Sequence, residues 1–175
     1  KDLGLERVKY SFISVATSTS TPARARVKGY DLIEELAASN LEWSFTLVGD
    51  SNYNPQSPNI QVLGKDTPGS LVQRYNTHEF YLQLSSSEGF PNALGEAMAC
   101  GCVPIGSAVG AIPEIIGDTG LLLKRKELGT LQTLIQDWMA GKTQLTSPRA
   151  RIERYFTFAH RRQLLLKALS LKEES

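Results

Sequence analysis

The sequence predicts an α/β domain built on a mostly parallel sheet, and three observations carry that expectation. Short apolar runs recur along the chain: "YSFISVA", "WSFTLVG", "IQVLG", "FYLQL", "VPIG" and "GLLL". Between them lie segments of roughly ten residues with apolar side chains at helical spacing. Gly, Pro and polar clusters punctuate the ends of the runs. Strands that alternate with helices in this way run parallel and are joined by right-handed crossovers.

Each element follows in order. Tyr10–Ala16 is expected as a buried strand of alternating and β-branched residues. The stretch "TSTSTPARARVKG" is read as a loop, too rich in Ser, Thr, Pro and Arg for a core element. "YDLIEELAAS" places Leu32, Ile33, Leu36 and Ala37 on one helical face. Trp43–Gly49 is the second strand, closed by Gly49 and Asp50, and Ile60–Gly64 is the third. Pro68 opens a helix that ends near Asn76, Phe80–Leu84 is the fourth strand, and a helix runs from about Pro91 to Ala99. Val103–Gly106, a short helix near Pro113–Ile116 and Gly120–Leu123 complete the pattern. From Lys126 the chain reads as helical, with breaks at Ser147–Pro148 and near Phe156. The expectation is one Rossmann-like three-layer domain over residues 1–175, with about six strands and a helical C-terminal tail. Ligands of such sheets sit beyond the carboxyl ends of the strands, which directs attention to loops 17–28, 49–58, 64–67, 85–91 and 107–112.

Composition excludes several classes of function. A chain of 175 residues can bury a real core, and 41% hydrophobic with 21% charged residues is a globular balance rather than a disordered one. A net charge of +1, with Lys and Arg not interleaved with aromatics, gives no pull toward nucleic acid. No apolar run approaches the ~20 residues of a membrane helix. The N-terminus lacks a signal-peptide pattern and begins at Lys1, so a fragment is expected. Cys100 and Cys102 are too few for a disulfide framework or a four-thiolate zinc site, and are expected as packing residues of a reduced cytosolic protein. His78 and His160 have no Cys or His neighbours at metal-ligand spacing, and no D-x-D pair occurs, so no metal site is expected. There is no G-x-G-x-x-G. "GKT" at Gly141–Thr143 has Gln136 where a P-loop needs glycine and a helix where it needs a strand, so it is read as a helix C-cap.

The chemistry concentrates in "SSSEGFPNALGEAMACG", Ser85–Gly101. Glu88 and Glu96 are separated by seven residues, after a strand and across the start of a helix. Gly89 permits close backbone approach and Pro91 suits a first helical turn. The N–H groups near Asn92, Ala93 and Leu94 then point outward at the positive end of the helix dipole, where a phosphate fits. Carboxylates beside a phosphate site are best explained by sugar hydroxyls that donate to them, one on a hexose and the other on a ribose. The plain alternatives are a helix-capping or solvated Glu96 and a Glu88 that only complements the dipole.

The stretch "SSSEGFPNALGEAMACGCVPIGSAVGAIPEIIGDTGLLL" strongly resembles the C-terminal nucleotide-sugar-binding half of GT-B glycosyltransferases of family four, the "glycosyl transferases group 1" domain. Glu88, Gly89, Phe90, Glu96, Ala97, Met98, Ala99 and Gly101 fall on the pattern E-G-F-x5-E-A-M-A-x-G-x-P, and Pro104 stands one residue beyond its proline. The resemblance extends more weakly from Phe12 to about Leu123 and to the terminal helices. It implies that Glu88 contacts the donor sugar near the reacting centre and that Glu96 holds the ribose hydroxyls. Backbone groups of Gly89, Phe90, Pro91, Asn92, Ala93 and Leu94 would line the diphosphate, and Leu63 and Gly64 the base. It also implies sugar transfer with retention and no metal or other cofactor, the leaving diphosphate being stabilised by Lys28 and an arginine. That arginine is displaced from the pattern: Ala16-Thr17 stands where the family has Gly-Arg, so the role falls to Arg24 or Arg26, with Arg24 closer in spacing. Gly110-Ala111 replaces a double glycine, leaving less room around the sugar, and Leu84 replaces a proline.

The partners implied are a nucleotide-sugar donor and an N-terminal acceptor domain absent from this chain. Polysaccharide biosynthesis is the expected setting, at a cytoplasmic or membrane-peripheral location where a lipid-linked acceptor is open. Two other readings stand beside this one. A sugar-nucleotide epimerase would need further acid–base carboxylates and a histidine. A non-catalytic binding or assembly module is motivated by the altered arginine and glycine positions. The terminal segment "SPRARIERYFTFAHRRQLLLKAL" is expected as helices with a solvated basic face, one of them packing back toward the N-terminal domain across an apolar surface.

Overall fold

The apolar runs pair side by side, all pointing the same way. A computed structural model describes residues 2–170. Its strands are β1 (Val8–Val15), β2 (Ser44–Val48), β3 (Ile60–Leu63), β4 (His78–Gln83), β5 (Val103–Ser107) and β6 (Leu121–Leu123). They form one parallel sheet in the order β3-β2-β1-β4-β5-β6. The helices are α1 (Pro22–Val27), α2 (Tyr30–Ala38), α3 (Pro68–Thr77), α4 (Asn92–Ala99), α5 (Ile112–Ile116), α6 (Leu128–Met139), α7 (Pro148–Tyr155) and α8 (Phe158–Ser170).

Register turns the period-two pattern of the strands into two cores. Phe12 lies opposite Phe45 and Phe80 on its neighbours. The three rings stack in a row, with centroids 4.9 and 4.7 Å from Phe12, and Trp43 extends it at 5.1 Å. This face is covered by α1, α2 and α6 through Ala25, Leu32, Ile33, Leu36, Leu131 and Ile135. One residue on, Ile13 and Tyr81 face the opposite layer, where Tyr75 of α3, Leu94 and Met98 of α4 and Ile115 and Ile116 of α5 close a second core, with Ile152 of α7 against it.

The expected strands and most helices lie where the sequence placed them, within about two residues at each end. One element differs. Residues 22–27, read as loop, form α1. Pro22 sets its first φ, the Ala25 amide donates to the Thr21 carbonyl at 2.9 Å, and only Ala25 is buried. A helix with one inward residue shows no apolar period. Pro91 is the N-cap of α4 rather than its first helical residue. "GKT" begins with Gly141, φ +70°, just past the end of α6, as a C-cap requires. Neither cysteine is in a disulfide and both are buried. The Cys102 thiol donates to the Tyr75 carbonyl at 3.0 Å, and burial pushes it up to about 12. Among the described residues no helix is long and apolar enough to cross a membrane.

The strand order reverses between β1 and β4. The chain leaves β1 for α1 and α2 on one face and leaves β4 for α4 on the other, which opens a crevice above their carboxyl ends.

Candidate functional site

Lys28 and Glu88 meet above that crevice. Lys28 caps the C-terminus of α1, and Gly29, φ +85°, turns the chain into α2. A Cβ on Gly29 would lie 2.2 Å from the Leu84 carbonyl oxygen, so only glycine lets the Lys28 segment press against the end of β4. The Ser86 amide donates to the Val27 carbonyl at 2.8 Å and ties the two loops together. Lys28 Nζ then donates to Glu88 Oε2 at 2.8 Å, with both side chains partly shielded, 30% and 17% exposed.

Behind the pair lies a hydrogen-bonded network. Ser85 Oγ donates to Glu88 Oε2 at 3.2 Å and Gln83 Nε2 at 3.3 Å. Gln83 and Ser85 are buried. The sequence reading missed both as site residues. Gln83 stands in a strand whose alternation is apolar on both faces, and a lone glutamine there was the available signal.

The rest of the Ser85–Gly101 stretch meets this pair. No side chain caps α4, and the amides of Asn92 and Ala93 have no carbonyl within the helix to bond. The Leu94 amide donates to Pro91 O at 3.2 Å and its side chain is buried in the core. Gly89 and Phe90 are exposed, and Pro91 is buried. The loop after β5 closes against the Glu88 loop: Ala111 N–H donates to Gly89 O at 3.1 Å. Gly110, φ +53°, has room for no side chain, since a Cβ would lie 2.0 Å from Glu88 O. Ala111 turns its methyl toward the core.

Glu96 is exposed on α4. Burial raises the phenol pKa of Tyr75 and Tyr81, and the Glu96 charge adds to both shifts. Glu96 lines a cavity of about 940 Å³ with Phe90, Asn92, Arg151, Tyr155 and His160, between α4, α5 and the two last helices.

The two candidate arginines part ways. Arg24 lines a polar cleft of about 470 Å³ over the ends of β1, β2 and β3, with Thr17, Asp50, Asn52 and Lys65. Arg26 points elsewhere, 3.6 Å from Asp31 with its side chain 81% exposed, while Lys126 donates to the same Asp31 at 2.7 Å. Asp50 shapes the cleft rather than filling it. Its carboxylate accepts the amides of Asn52, Thr19 and Ser20 at 3.1, 2.7 and 2.8 Å, and these bonds hold it below the usual carboxylate range. Leu63 and Gly64 directly precede Lys65 of that cleft, and their carbonyls share the amide of Gly49, which lines it, at 3.0 and 3.2 Å. Among the described residues no three His, Cys, Asp or Glu gather in a way that could hold a metal ion.

The family model described as "Glycosyl transferases group 1" matches residues 21–140. The N-acetyl-alpha-D-glucosaminyl L-malate synthase of Bacillus anthracis is 54% identical over 65 residues, 36% of this chain and 16% of that protein. Among solved structures, sucrose-phosphate synthase from Thermosynechococcus elongatus superposes with a TM-score of 0.71 at 22% identity, covering 94% of this chain and 46% of that one. HepE of Anabaena, solved in complex with UDP-glucose, gives 0.69 at 19% identity over 92% of this chain and 48% of that one. The chain therefore spans less than half the length of each of these proteins.

Proposed function

This chain belongs to the glycosyl transferases group 1 family, and from that premise we propose that it is the donor-binding, C-terminal domain of a retaining GT-B enzyme that transfers a sugar from a nucleoside diphosphate. The observation that carries the reading is the Lys28–Glu88 pair at the strand-order reversal, beside the uncapped start of α4.

In this reading the diphosphate lies against the Asn92 and Ala93 amides, where helix partial charge favours an anion. An ammonium has three donors, so Lys28 can keep its bond to Glu88 and still donate to the diphosphate. Arg24, from the neighbouring cleft, adds a second cation. Together they stabilise the charge that develops on the leaving diphosphate, the work a metal ion does in other transferases. Glu88 accepts from sugar hydroxyls near the reacting carbon, and Glu96 from the ribose. Leu63 and Gly64 present backbone to the base. The acceptor binds to a second domain, for which a lipid-linked or membrane-peripheral acceptor in polysaccharide assembly is the natural class.

Calorimetry with a panel of UDP-, GDP- and ADP-sugars tests this. One donor should bind, and Glu96→Ala should weaken it about tenfold, the ~1.4 kcal/mol of a charged hydrogen bond. A chain that binds none of them, with Glu96→Ala indistinguishable from wild type, would remove the donor reading.

A further inference from the structure

Glu88 is held by one oxygen. Lys28, Ser85 and Gln83 all donate to Oε2, at 2.8, 3.2 and 3.3 Å, and among the described residues none of these bonds reaches Oε1. The grip comes from inside the protein. Gln83 is 7% exposed, and Ser85 and Tyr81 are fully buried. Tyr81 O–H donates to Gln83 Oε1 at 3.2 Å, and Gln83 Nε2 also donates to Ser85 Oγ at 3.0 Å. The amide has one workable orientation. Flipped, it would set its carbonyl oxygen 3.3 Å from the Glu88 carboxylate, acceptor against acceptor. The bonds therefore run in a defined direction, from Tyr81 through Gln83 and Ser85 to Glu88.

A buried glutamine at the end of a strand is costly unless its amide is satisfied, and here the satisfaction is supplied by the residues that meet Glu88. Without Gln83 and Ser85, the carboxylate would rest on Lys28 alone, a part-exposed ammonium on a flexible stem. Two buried donors fix the plane of the carboxylate before any ligand arrives, which lowers the ordering cost of binding.

We infer that Gln83 and Ser85, backed by Tyr81, are positioning residues that turn Glu88 Oε1 toward the sugar of the donor. The inference rests on the donor-binding reading above. It separates sugar recognition from nucleotide recognition, because the network touches neither the α4 amides nor the Arg24 cleft, and Lys28, which shares Glu88 Oε2 with it, would reach the diphosphate through its own remaining donors.

The test compares affinities of the same chain for UDP-, GDP- and ADP-glucose and for the corresponding nucleoside diphosphates. Gln83→Met keeps the side-chain length and donates nothing; Ser85→Ala removes only a hydroxyl. For the preferred nucleotide, each should lower affinity for the sugar nucleotide several-fold, and the pair together by tenfold or more. Affinity for the bare diphosphate should stay within about twofold. Ser85→Thr, which restores a hydroxyl, should restore the sugar-dependent part. Variants that keep the wild-type ratio overturn the inference and leave the donor reading standing. So do variants that lose both ligands in parallel with their melting temperature, which would mark a role in folding alone. A wild-type chain that binds sugar nucleotide no tighter than diphosphate also overturns it. One that binds no nucleotide of either kind removes the donor reading and the inference together.

Discussion

Two glycines govern how closely the loops around Glu88 approach one another. Gly29 and Gly110 both have positive φ, and a methyl on either would collide with backbone, at Leu84 O and Glu88 O. Gly110→Ala should cost on the order of 1–3 kcal/mol in chemical denaturation, since it adds left-handed strain to a contact that must open. It should also push the Glu88 loop off its support and weaken sugar-nucleotide binding. Gly129, in the first turn of α6, has nothing within 4 Å of its virtual Cβ. Gly129→Ala should be neutral or stabilising by up to about 1 kcal/mol. Equal effects of the two substitutions would show that the close approach at Gly110 is not what holds the loop. At this scale the sequence made Glu88 and Glu96 visible by their spacing across a helix start, and Lys28 only through the family resemblance. It did not decide between Arg24 and Arg26, because both lie on one short polar stretch and only the turn of α1 sends one to the cleft and the other to Asp31.

Elements were legible where they bury a stripe and illegible where they do not. The strands and α2 announce themselves by period, whereas α1 buries only Ala25 and is built from capping geometry that the sequence showed as Pro, Ser and Thr. The junction of α3 with β4 shows how such ends are held. His78 Nδ1–H donates to the Arg74 carbonyl at 2.8 Å, and Nε2 meets Thr46 Oγ1 at 2.9 Å, a hydroxyl able to donate to the neutral ring. Burial, with smaller contributions from the Arg74 and Arg7 charges, lowers its pKa below the ordinary 6.5. The sign follows from proton counting. Between 6.5 and the lower folded value the unfolded chain binds more protons, so this stability is complete above about pH 6.5 and is lost as pH falls. The melting temperature should therefore drop between pH 7 and pH 5, and His78→Gln should flatten that drop. An unchanged slope in the variant would assign the acid sensitivity to other groups. Asp66 and Asp50 act in a lower window. Hydrogen bonds, from Arg74 above all at Asp66 and from the Asn52 amide above all at Asp50, depress both carboxyls, so their contribution fades only below about pH 4.

At the scale of the whole molecule, alternation alone led to the parallel sheet, and short connections with right-handed crossovers left few orders for it to take. The terminal surface was legible only in outline. The apolar residues of α8 read from sequence as half of a packed face, and in the structure that face meets solvent. Phe158 is 91% exposed, Leu165 59% and Leu169 54%. Positions 158, 165 and 169 fall on one side of a helix, so these side chains form a continuous stripe. Exposed Tyr155 and Phe90 add to the apolar surface at this end of the molecule. Isolated exposed leucines are ordinary, but a contiguous stripe with a phenylalanine at its head is a surface that water disfavours and a partner would cover. The charged residues of α8 itself, Arg161, Arg162 and Lys167, are all basic, so they oppose self-association without cancelling the apolar drive. Sedimentation velocity across the micromolar range should show this chain associating reversibly, more strongly as salt screens the like charges. The double substitution Phe158→Glu and Leu165→Glu should make it monomeric with little change in melting temperature, because neither residue belongs to either core. Association that persists in the double variant would place the sticky surface elsewhere. A large fall in melting temperature would mean that α8 is a structural part of the domain rather than a face presented to a partner.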